Sequence, residues 1–85
     1  MDNLIRINNN NKLEIEAKNL DVNANSGTIK FDRPFTNKCV AVIAQDIGTE
    51  ESFTIAVDKL SKSSFTFKTE GNNNPRWITY LAIGY

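Results

Sequence analysis

Apolar and polar residues alternate with a period of two along most of this chain, which is the signature of β-strands. Leu4 to Ile7 reads as a short strand ended by the turn Asn8-Asn-Asn-Asn11. Leu13, Ile15 and Ala17 then alternate with Glu14, Glu16 and Lys18, which predicts a half-buried strand whose glutamates face water. Together the two segments predict a β-hairpin. Leu20 and Val22 extend the alternation toward the loop Asn23-Ala-Asn-Ser-Gly27. Gly27 to Phe31 forms the next strand, and Asp32-Arg-Pro34 breaks it, because proline cannot donate to a ladder. Phe35 follows as an isolated anchor. Lys38 to Gln45 is a continuous apolar run rich in valine and isoleucine, which predicts a buried central strand. Asp46 to Glu51 reads as an acidic loop. Phe53, Ile55 and Val57 mark another strand, Lys59 to Ser64 a turn, and Phe65 with Phe67 the penultimate strand.

The closing segment is different. Trp77, Thr79, Leu81, Ile83 and Tyr85 fall on one face; Ile78, Tyr80, Ala82 and Gly84 fall on the other. A strand wet on one side alternates polar with apolar, and this one is apolar on both, so both faces need cover. No segment carries a helical period, and β-branched residues with flanking breakers argue against a helix at Ala41 to Asp46. The expected fold is all-β: one small antiparallel β-sandwich domain over residues 1–85, with an N-terminal hairpin and loop at 1–26. Covering a second face of the closing strand in a chain this short takes a partner, and a symmetric one is the usual solution.

Composition narrows the function. The 85 residues carry 10 Lys and Arg against 10 Asp and Glu, so the net charge is zero and the basic excess of a nucleic-acid binder is missing. No apolar stretch has membrane-spanning length, so no membrane insertion is expected. The N-terminus lacks the pattern of a signal peptide. Histidine is absent, which removes the commonest general base and zinc ligand. The one cysteine, Cys39, lies in an apolar run and reads as a small buried hydrophobe. Asp32, beside Phe31 and Phe35, is the only acid in apolar company, and no mate for it is visible, so no enzyme activity and no catalytic residue is expected. No metal site and no cofactor are expected. Asp46, Glu50 and Glu51 read as a solvated turn rather than a calcium site, and the segment Asp21 to Gly27 departs from a calcium loop at its glycine and closing glutamate.

From Gly27 onward the chain resembles the C-terminal domain of bacteriophage tail-fibre proteins. Gly27-Thr-Ile-Lys-Phe-Asp-Arg-Pro-Phe35 is similar to that family's strand and aromatic corner. Asn37-Lys-Cys-Val-Ala-Val42 is similar to the following apolar strand, Ser64-Phe-Thr-Phe67 to the penultimate one, and Tyr80-Leu-Ala-Ile-Gly-Tyr85 to the closing signature. The chain departs from it where that signature usually carries tryptophan and Tyr80 stands here, with Trp77 three residues earlier. A more distant resemblance is to the H-type lectins. The resemblance implies a homotrimer at the host-exposed tip of a virion fibre that binds a cell-surface carbohydrate. A free-standing, extracellular H-type-like lectin and a structural trimerisation or capping module are the alternatives.

The candidate ligand site follows from chemistry. Sugars are held by an aromatic face against C–H groups and by planar amides and guanidinium aimed at hydroxyls. Trp77, Arg76, Tyr80 and the loop Asn72, Asn73 and Asn74 bring these types together.

Overall fold

A computed structural model describes residues 13–47, 54–70, 75 and 77–85, together with the backbone of 4–8. Seven strands run in order: β1 (Leu4–Asn8), β2 (Glu14–Asp21), β3 (Ser26–Lys30), β4 (Cys39–Ile47), β5 (Ile55–Asp58), β6 (Ser64–Thr69) and β7 (Trp77–Gly84). They form two antiparallel sheets, β1-β2-β7-β4 and β3-β6-β5. The described residues contain no α-helix. The Asn8–Asn11 and Asp46–Glu51 turns of the sequence reading fall largely outside the described residues.

The core lies between the sheets. Ile78, Tyr80 and Ala82 supply it from β7; Phe65 and Phe67 come from β6, Ile29 from β3, and Phe31 and Phe35 from the segment between β3 and β4. Aromatic rings dominate. Phe31 meets Phe35 edge-on at 5.0 Å, and Phe65 meets Tyr80 at 5.2 Å and 68°. Such edge contacts add about 0.5–1.5 kcal/mol each beyond burial. The proline-broken corner is thus held by Phe35, which is 1 % exposed and donates its N–H to the Lys62 carbonyl at 2.7 Å.

The alternation locates the strands, but the placement and the extent of the Lys38–Gln45 strand need correction. The Cys39–Ile47 strand is not central: it is the edge of the four-stranded sheet, with Val40 58 % and Ile43 68 % exposed. The central place belongs to β7, flanked by β2 and β4. The acidic loop also begins later than expected. Asp46 is within β4 opposite Ile78 and is buried.

β7 ends in a close approach. The Tyr85 N–H donates to the Lys38 carbonyl, and the Tyr85 oxygen accepts from Asn37 and Lys38 N–H at 2.6 and 2.7 Å. The same stretch carries a register shift between Cys39 and Ala41. A Cβ on Gly84 would stand 2.1 Å from the Lys38 oxygen and 2.8 Å from the Phe35 ring. The glycine of the closing signature is therefore a packing requirement: only a hydrogen fits between β7 and the Lys38 main chain.

Candidate functional site

The second strand faces the opposite way from its sequence reading. Opposite residues in an antiparallel pair share a face, and Glu14, Glu16, Lys18 and Leu20 stand opposite Gly84, Ala82, Tyr80 and Ile78. Glu14 is 2 % exposed and Glu16 is fully buried. A buried carboxylate is costly unless hydrogen-bonded, and both are. Glu16 accepts from the Tyr80 hydroxyl at 2.5 Å and from the Asp32 and Arg33 N–H at 3.0 and 3.4 Å. Glu14 accepts from the N–H and the hydroxyl of Thr36, both at 2.8 Å. The glutamates are internal acceptors for main-chain donors that the corner Asp32–Thr36 cannot pair within a sheet. Asp32 itself is exposed; besides Asp46 of β4, the buried acids are these two glutamates. Their lone pairs are engaged by the corner, and that arrangement suits clamping it.

With the glutamates inward, the apolar residues of β2 point out. The outer face of the four-stranded sheet can be read as rows across β2, β7 and β4. Two rows are apolar: Ala17–Leu81–Ile43 and Ile15–Ile83–Ala41. β1 adds Ile5 and Ile7 at register positions opposite Ala17 and Ile15. Val40, at the register shift, and Tyr85, 46 % exposed, adjoin this end. The next row is wholly polar: Asn19–Thr79–Gln45. The last is Asp21–Trp77–Ile47. The second apolar face of the closing strand is thus real, and within one chain it stays only half-covered.

The sequence-derived site divides. Trp77 is half-buried at the start of β7 on the outer face. Tyr80 is removed from any ligand site: it is 1 % exposed, packs against Phe31 and Phe65, and gives its hydroxyl to Glu16. Residues 77 and 80 also point to opposite faces of the strand. Arg76 and the loop Asn72, Asn73 and Asn74 lie outside the described residues. Near Trp77 the fold brings Asn19, Thr79 and Gln45 into one line, which sequence reasoning missed. They stand far apart in the chain, and only the strand register aligns them.

Cys39 is buried and donates weakly to the Ala41 carbonyl at 3.7 Å. Burial, with the nearby Glu16 charge adding to it, pushes its thiol up from 9.0, which is the opposite of an activated nucleophile. Among the described residues no group of acids and cysteine is placed to hold a metal ion.

Comparison with known proteins places these features. A search of the curated proteins found no match. Among solved structures, the N-truncated R2-type pyocin tail fibre superposes with a TM-score of 0.71 at 14 % identity, over 86 % of this chain and 30 % of that one. The C-terminal part of the P. aeruginosa R2 pyocin fibre gives the same score and identity, with 21 % of its length covered. The N-truncated R1-type pyocin tail fibre gives 0.64 at 17 % identity, over 100 % of this chain and 86 % of that one. At these identities the likeness is one of fold, and the chain spans less than a third of the two R2-type fibres. The family model for the gp53-like tail fiber protein, C-terminal, matches residues 18–85, from within β2 to the end of β7. The chain belongs to the family of gp53-like tail fibre C-terminal domains.

Proposed function

We propose that this chain is a non-catalytic receptor-binding module of a phage or phage-derived fibre, working at the host-exposed end of the particle as a homotrimer that binds cell-surface carbohydrate. The observation that carries the reading is the inverted β2. Two glutamates are drawn inward to clamp the Asp32–Thr36 corner, and Ile15 and Ala17 are left outward beside Leu81, Ile83, Ala41 and Ile43. A contiguous outward apolar surface on a small domain marks a contact surface. Family membership supports the fibre context.

Absence of catalysis is part of the proposal. The buried Glu14 and Glu16 have oxygens engaged by Tyr80, Thr36 and the corner backbone, and neither faces solvent as a general acid or base would. The zero net charge of the chain supports recognition by hydroxyl-directed hydrogen bonds rather than attraction to a polyanion. Individual sites of this type are weak, about millimolar, and three copies with several fibres supply avidity.

The test is competition. Purified chain added to susceptible cells should block adsorption of the parent particle, and the block should weaken only slightly between low and physiological salt. A chain that neither blocks adsorption nor binds any surface glycan leaves a purely structural role and sinks the receptor reading.

A further inference from the structure

We infer that the Trp77 end of the outer sheet face is a carbohydrate platform, formed by the cross-strand row Asn19–Thr79–Gln45 and the indole of Trp77, and that it takes a neutral hexose-type glycan. This rests on the receptor-binding reading above and locates its site.

The geometry is set by register. Asn19, Thr79 and Gln45 stand directly opposite one another on three adjacent strands. Two inter-strand steps make the row about 10 Å long, enough to meet hydroxyls of a disaccharide. Two amides and a hydroxyl both donate and accept, as sugar hydroxyls do. Among the described residues no hydrogen bond engages these three side chains. Their capacity is unspent, in contrast to the glutamates on the inner face. Trp77 lies two residues along β7, about 7 Å away, beside Asp21 and Ile47. Trp77 is half-buried, and an indole is the kind of flat apolar surface that packs against the C–H face of a pyranose.

Charge and polarity separate this end from the assembly end. In the two rows the sole charged residue is Asp21, which disfavours phosphate-rich or acidic polymers. An apolar protein surface laid over the polar row would strand its amides and hydroxyl out of water with no partners, a cost that contact does not repay. The apolar rows are the ones suited to another copy.

The experiment uses the full chain. Side-chain amide and indole NMR signals are followed during titration with glucose, galactose, mannose and their N-acetylamino forms, for the parent chain and for Asn19→Ala, Gln45→Ala, Thr79→Val and Trp77→Phe. The expected result is a millimolar complex that shifts the Asn19, Gln45 and Trp77 signals, with each substitution weakening it about fivefold or more and leaving melting and molecular mass unchanged. Binding that survives the row substitutions in folded protein overturns this site and leaves the receptor reading standing. Adsorption to cells without binding of any of these sugars overturns the neutral-hexose platform. No sugar binding and no adsorption overturn both.

Discussion

Replacing Glu16 with alanine tests the inverted strand. The buried Tyr80 hydroxyl would lose its acceptor at 2.5 Å, and an unsatisfied buried donor costs about 1–3 kcal/mol. The Asp32 and Arg33 N–H groups would lose theirs at 3.0 and 3.4 Å. They belong to exposed residues that water reaches, and the second contact is long, so together they account for about 1 kcal/mol. The space left by the missing side chain, walled by Tyr80 and the corner, adds about 1 kcal/mol. The sum is about 3–5 kcal/mol, set against about 4–13 kcal/mol for a domain of this length. Urea unfolding at fixed protein concentration is the assay, because assembly links stability to concentration. With an m-value of about 1.5 kcal/mol/M, the midpoint should fall by about 2–3 M. Glu16→Gln keeps the shape and one oxygen acceptor and should cost less. A cycle with Tyr80→Phe should show a coupling of at least about 0.5 kcal/mol. If glutamate 16 faced water, as the alternation alone suggests, Glu16→Ala would change stability by no more than about 0.5 kcal/mol, and that result refutes the inversion.

Gly84→Ala forces a Cβ against the Lys38 oxygen and the Phe35 ring; circular-dichroism melting should show destabilisation of about 2–3 kcal/mol, with the Tyr85–Lys38 pairing lost. Thr36→Val removes a hydroxyl donor from Glu14 and should cost about 1–2 kcal/mol in the same measurement. The raised Cys39 thiol sets an alkaline limit: below 9.0 folded and unfolded chains both keep the proton, whereas above it the unfolded thiol ionises first. Stability should therefore fall as pH rises past about 9, Cys39→Ala should remove that component, and thiol alkylation of the folded chain should be slow where the unfolded chain reacts at once.

Strand positions were legible because period-two alternation is local, and the hairpin of β1 and β2 follows from it. Facing was not legible. Alternation says that Ile15 and Glu16 point opposite ways and leaves open which way is inward. Apolar-in is the usual answer, and it fails here because the Asp32–Thr36 corner offers N–H groups that Glu14 and Glu16 satisfy across a long stretch of sequence. The same reversal explains β4. Its apolar run predicts two-sided burial, yet within one chain its outer residues Val40 and Ile43 stay exposed at a sheet edge. Trp77 was singled out from its chemistry and does lie on the surface side of β7, whereas Tyr80, equally plausible by residue type, is taken up by the core. The row Asn19–Thr79–Gln45 was illegible, since no spacing in the sequence predicts a register across three strands.

Sedimentation equilibrium of the parent chain and of an Ile43→Glu, Leu81→Lys variant tests the central claim most directly. Both residues lie on the outer apolar rows, 68 % and 38 % exposed in the single chain, so the substitutions spare the core. The account predicts three times the chain mass for the parent at micromolar concentration and a folded monomer for the variant, because charge in a covered apolar contact costs far more than charge in water. A parent chain that sediments as a monomer, or a variant that remains a trimer, contradicts it.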